Sequence, residues 1–150
     1  MKALRFYGSN DLRVEDIAAP ELCGPRQVIV KVACCGICGT DLHEYAMGPI
    51  FMPSQQVLGH EFSGTVVEVG SELKDYREGD RVAIQPLLAP GDDYYTVRGL
   101  GHLSEQSGFV GIRNWAWGGM GEYAVLNDYN VFKLPDSVQM NKEPSLSLQL

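Results

Sequence analysis

Gln27-Val28-Ile29-Val30-Lys31-Val32-Ala33-Cys34 runs straight into Cys35-Gly36-Ile37-Cys38-Gly39-Thr40-Asp41-Leu42-His43, and a second short motif, Gly59-His60-Glu61, comes later in the chain. The first eight residues are rich in β-branched side chains and come after the turn-forming pair Gly24-Pro25, so they read as a strand. The stretch from Cys35 to His43, taken with Gly59-His60-Glu61, concentrates thiol, hydroxyl, carboxylate and imidazole groups. A borderline-soft cation such as Zn²⁺ is held by thiolate sulfur, imidazole nitrogen and carboxylate oxygen. Cys38, His60 and Glu61 are candidate ligands, and Thr40 and His43 are candidates for carrying a proton away. The two motifs are about 20 residues apart, so they meet only across a fold.

The flanking sequence is built of short strands. Lys2 to Tyr7 and Leu12 to Ile17 alternate apolar and polar residues around Gly8-Ser9-Asn10-Asp11, a hairpin signal. Phe62 to Val69 and Arg81 to Ile84 are further strands, and Glu122 to Leu126 with Asn130 to Lys133 form a late pair. Thr40 to Tyr45 reads as a short helix capped by Thr40, with His43 in its first turn. Many short strands separated by turns predict a mainly β fold, a barrel or sandwich.

Composition bounds the function. At 150 residues, the chain has one domain's worth of core. Its formal net charge of −7, without a Lys/Arg cluster, argues against nucleic acid as a partner. No apolar run reaches the ~20 residues that span a bilayer, and the N-terminal stretch lacks a signal peptide's apolar region, so a cytoplasmic location is the expectation. The cysteines are Cys23, Cys34, Cys35 and Cys38, a poor disulfide framework that reads as reduced thiols. Cys35-x-x-Cys38 invites a thioredoxin-like reading, but no strand–helix–strand alternation comes after it. Cys34 and Cys35 lack metal spacing and are expected in the core.

Gly36 to His43 together with Gly59-His60-Glu61-Phe62-Ser63-Gly64 resemble the zinc signature of the zinc-dependent medium-chain alcohol dehydrogenases. Asp41 to Tyr45 through Gly48-Pro49-Ile50-Phe51-Met52-Pro53 is similar to the butanediol dehydrogenase branch, and Glu78 to Val82 and Gly118 to Tyr123 continue the likeness. The resemblance implies a GroES-like, partly open β-barrel with few short helices over residues 1–136, with a divergent tail at 137–150. It implies a catalytic zinc on Cys38 and His60, with Glu61 as ligand or as a group orienting His60. Asp41 is then expected to orient a ligand imidazole. A late ligand is also implied, for which Glu143 of Glu143-Pro144 is the candidate, although its register falls early. Thr40 would bond the substrate alcohol and His43 would pass its proton outward.

Two departures from that pattern stand out. In the lobe at 86–117, the family's structural zinc is bound by four cysteines, and the matching positions here are Pro90, Asp93, Thr96 and Ser104. Loss of that structural zinc is therefore expected, and this long irregular lobe is expected either to be held by packing of Tyr94, Tyr95, Phe109, Trp115 and Trp117 or to be mobile. These residues also contain no Gly-x-Gly-x-x-Gly unit, so NAD(P) would have to bind a Rossmann domain supplied elsewhere. Three functions are compatible with this pattern. The first is the catalytic portion of an alcohol or polyol dehydrogenase acting on a small alcohol, diol or carbonyl. The second is non-redox chemistry (isomerase, cyclase or lyase) in the same cleft, and the third is a non-catalytic interaction module. A homodimer is left open.

Overall fold

The computed structural model describes residues 1–138, apart from Cys23 and Pro90. Glu143 and most of the tail expected at 137–150 lie outside the described residues, as does Cys23. The elements are β1 (Lys2–Gly8), β2 (Asp11–Asp16), β3 (Gln27–Cys35), α1 (Gly39–Met47), β4 (Gln56–Val57), β5 (Phe62–Val69), β6 (Arg81–Ile84), β7 (Leu87–Leu88), β8 (Gly108–Phe109), β9 (Tyr123–Asn127) and β10 (Val131–Lys133). The mainly β expectation holds, and the strands form three antiparallel sheets.

The largest sheet has the order β10-β6-β5-β3-β9. β3 lies inside it with partners on both sides, which explains why Val28, Ile29 and Val30 are buried in succession rather than alternately. β9 and β10 do not pair with each other. They occupy opposite edges of this sheet, because β9 returns to β3 and β10 to β6. The second sheet, β2-β1-β4, is tied to the first through the segment before β9: Leu4 N–H donates to the Met120 carbonyl, Glu122 N–H to Lys2, and Val32 N–H to Glu122. This stitching curls the strands into an incompletely closed barrel, as a GroES-like domain requires.

Apolar side chains fill the interior as two clusters. One gathers Val28, Val30, Phe62, Val66, Val82, Ile84, Val110 and Leu126; the other gathers Phe6, Met52, Leu58 and Ile112.

The lobe at 86–117 is more ordered than its sequence suggested. β7 and β8 pair, and two short 3₁₀ turns lie between them at Thr96–Arg98 and Gly101–Leu103. The aromatic residues expected to hold the lobe divide into two groups. Trp115 and Trp117 pack on the larger cluster, Phe109 packs on the smaller one, and Trp115 Nε1 donates to the Val125 carbonyl at 2.8 Å. Tyr94 and Tyr95 do not contribute to the interior. They stack edge to face on the surface, and Tyr94 is 65% exposed beneath the Arg98 guanidinium.

Candidate metal centre

The two motifs meet because β3 and β5 are antiparallel neighbours. Cys35 lies opposite Phe62 and Cys34 opposite Ser63, so the residues just after β3 face those just before β5. The pairing extends one step beyond the strands, where Gly36 N–H donates to the Glu61 carbonyl at 2.7 Å. Gly36 also leaves room for the Glu61 side chain: a Cβ there would stand 3.2 Å from Glu61 Oε2. Gly59 adopts φ +94, and a Cβ on it would come within 2.6 Å of Cys35 Sγ and 2.8 Å of the Met120 nitrogen. Only glycine accepts both the left-handed backbone and this crowding, and that turn aims His60 inward.

One donor atom from each of Cys38, His60 and Glu61 lies within 4.8 Å of the others. Sulfur, nitrogen and oxygen donors gathered in this way suit zinc. His60 is buried, with 4% of its surface exposed. Its Nδ1 faces Asp41 Oδ1 at 3.7 Å, and its ring meets the Phe109 ring edge-on with centroids 5.7 Å apart. Among the described residues, neither Asp41 Oδ1 nor His60 Nδ1 has a hydrogen-bond partner. A carboxylate aimed at one imidazole nitrogen leaves Nε2 as the nitrogen a metal would take. Burial raises the Asp41 carboxyl above the usual carboxylate range, against the opposing effect of the Cys38 N–H and His60.

The helix beginning here is capped two residues earlier than the sequence implied. Cys38, not Thr40, is its N-cap residue, and the Cys38 N–H donates to Asp41 Oδ2 at 2.9 Å. Asp41 thus reaches both a candidate ligand's backbone and the imidazole of another. Thr40 is half-buried, with Oγ1 3.7 Å from Cys38 Sγ. His43 sits at i+3 from Thr40, past the first turn, and is exposed. The structure therefore assembles Cys38, His60, Glu61, Asp41 and Thr40, and puts His43 on the solvent side. Glu143 lies outside the described residues.

Cys35 and Cys34 are separate from this group. Burial pushes the Cys35 thiol up to about 12, so it stays protonated, and its Sγ–H points to the Gly36 carbonyl. Cys34 Sγ lies 3.2 Å from Ser63 Oγ.

Glu44 was missed by sequence reasoning. It is fully buried, and its carboxylate accepts the Ile50 and Phe51 N–H groups at 2.9 and 2.6 Å, fixing the loop after α1. Its i+3 spacing from buried Asp41 was the available signal, since an acid on a helix's inner face needs donors. Phe109 was expected to support the lobe, but nothing in its spacing shows that it abuts His60.

Residues 24–136 match the family model described as the alcohol dehydrogenase GroES-like domain. The (R,R)-butanediol dehydrogenase of Bacillus subtilis is 41% identical over 97% of this chain and 44% of that protein. Human sorbitol dehydrogenase is 37% identical over 91% of this chain and 38% of that protein. Among solved structures, 2R,3R-butanediol dehydrogenase from Bacillus subtilis superposes with a TM-score of 0.82, covering 92% of this chain and 41% of that one at 41% identity. Galactitol-1-phosphate dehydrogenase from Escherichia coli gives 0.86 at 34% identity, covering 93% of this chain and 39% of that one. The chain thus spans less than half the length of these relatives. No described helix is long and apolar enough to cross a membrane. With a matching domain model, these identities and a shared fold, the chain belongs to the zinc-dependent medium-chain alcohol dehydrogenase family, and its described residues form that family's GroES-like domain.

Proposed function

We propose that this chain is the catalytic-domain portion of a zinc-dependent alcohol or polyol dehydrogenase, taking a small secondary alcohol or diol to the ketone. The observation that carries this reading is the convergence of Cys38, His60 and Glu61. Cys38, His60 and Glu61 would hold the zinc, with Glu143 as a further candidate ligand. When bound, zinc supplies Lewis acidity that makes an alcohol hydroxyl easier to deprotonate.

The chain's own residues perform the remaining steps. Asp41 holds His60 in one tautomer and orientation. Phe109 packs edge-on against the buried ring and adds to its burial. The Thr40 hydroxyl, beside Cys38, accepts the substrate's proton as its own proton moves on toward His43, from which it reaches solvent. NAD(P), held on a nucleotide-binding domain outside these residues, would supply the hydride acceptor. The diol class of substrate is taken from what the butanediol and sorbitol dehydrogenase names say of those relatives. The comparisons give no support to non-redox chemistry or to a non-catalytic interaction module.

Elemental analysis of the purified chain tests the reading. One zinc per chain is expected, and Cys38→Ser should lose it while circular dichroism shows an intact fold. A chain that takes up no zinc, or a Cys38→Ser variant that keeps it, overturns the assignment.

A further inference from the structure

Three of the four positions that align with the family's structural-zinc cysteines come together in the lobe. Asp93 Oδ1 accepts the N–H groups of Tyr95 and Thr96 at 2.9 and 2.7 Å, and Asp93 Oδ2 accepts the Ser104 hydroxyl. Ser104 Oγ in turn accepts the Gln106 N–H at 3.1 Å, and Ser104 is 5% exposed. The fourth position, Pro90, lies outside the described residues and carries no ligating side chain.

This donor set does not suit a structural zinc. Such sites use four nitrogen or sulfur ligands, whereas this cluster offers one carboxylate and two hydroxyls. The carboxylate is already engaged at both oxygens, and binding a metal there would strip those bonds. The bonds also act on Asp93 as ligands would: the Ser104 hydroxyl first, then the Thr96 N–H, hold its carboxyl below the usual range and keep it charged. Asp93 stands before the first 3₁₀ turn and Ser104 directly after the second. Their contact closes both turns into one loop, as a shared metal ion would.

We infer that the Asp93–Ser104 pair is a metal-free clasp that replaces the structural zinc, so the lobe folds without any ion. The segment it closes leads into β8, where Phe109 packs against His60. The inference concerns the lobe alone and does not rest on the Cys38 site.

Hydrogen exchange of the full chain tests it, read over residues 93–107 and over the β3–β5–β9 strands. In wild type, excess EDTA should leave exchange in 93–107 unchanged. Asp93→Ala should speed it by roughly ten-fold or more, because bonds to a charged acceptor are lost, while the strands keep their protection. Asp93→Asn retains one acceptor oxygen and should fall between the two. In the Cys38→Ser background no residual zinc should be found. Acceleration by EDTA within 93–107, zinc retained in Cys38→Ser and lost on adding Asp93→Ala, or an Asp93→Ala lobe that exchanges like wild type would each overturn the clasp. Protected strands in Asp93→Ala separate a local opening from global unfolding.

Discussion

Replacing Asp41 should weaken metal binding and folding by separable amounts. Its Oδ2 accepts the Cys38 N–H at 2.9 Å, an N-terminal helix bond worth about 1 kcal/mol. Its Oδ1 stands 3.7 Å from His60 Nδ1, both atoms otherwise unpartnered, so closing by about 0.8 Å would make a charge-assisted bond. Carboxylates that orient a ligand imidazole in this way change metal affinity by about 10- to 100-fold, or roughly 1.4–2.7 kcal/mol. Asp41→Asn keeps an acceptor for the cap and loses the charge. It should cost about ten-fold or more in zinc affinity and under about 1 kcal/mol in stability. Asp41→Ala should lose both, with about 1–2 kcal/mol of stability gone, since the Cys38 N–H is left unpaired. Zinc affinity is read by competition with a chromogenic chelator and stability by urea unfolding of the metal-free chain. If both variants bind zinc as wild type does, Asp41 does not orient His60 and the site has been read wrongly.

Glu44→Ala removes two bonds from backbone N–H groups to a buried carboxylate and should cost about 3 kcal/mol or more in urea unfolding, whereas Glu44→Gln should cost about half as much. Gly59→Ala forces a side chain onto φ +94 and into Cys35 Sγ; about 2 kcal/mol of destabilisation is expected, together with weaker zinc uptake as His60 shifts. Wild-type zinc affinity in that variant would refute the strain argument. The Cys35 thiol, raised from 9.0 to about 12 by burial, contributes stability that is complete below pH 9 and lost as pH climbs through 12, because the unfolded thiol ionises first. Its share of the slope should approach about 1.4 kcal/mol per pH unit and be missing in Cys35→Ala, which keeps the share of Tyr7, Tyr76 and Tyr129, whose hydroxyls are also raised. Equal slopes in the two proteins would show that Cys35 is not buried as described.

Much of the architecture was legible because it rests on local chemistry. β-branched runs bounded by Gly and Pro placed β3, β5 and β6, and a Gly-Ser-Asn-Asp turn placed the first hairpin. The resemblance of two short motifs then named the barrel and nominated Cys38, His60 and Glu61. Strands of two residues, such as β4, β7 and β8, carry no period and were invisible. Their pairing is imposed by neighbours distant in the chain. The cap of α1 was also misassigned: Thr40 has the usual hydroxyl, but the backbone turns at Cys38 because Asp41 reaches back to its N–H.

Residue types specified which atoms this protein can offer a metal, since thiol, imidazole and carboxylate are properties of single side chains. Whether those atoms meet depended on the antiparallel register of β3 on β5, a long-range property that no local window contains. The same division holds in the lobe. The resemblance, laid on the letters, implied that the family's four lobe cysteines are replaced by Pro90, Asp93, Thr96 and Ser104. Only the folded chain showed that Asp93 and Ser104 close on each other, because a hydrogen bond across eleven residues exists only once both 3₁₀ turns have bent the backbone between them.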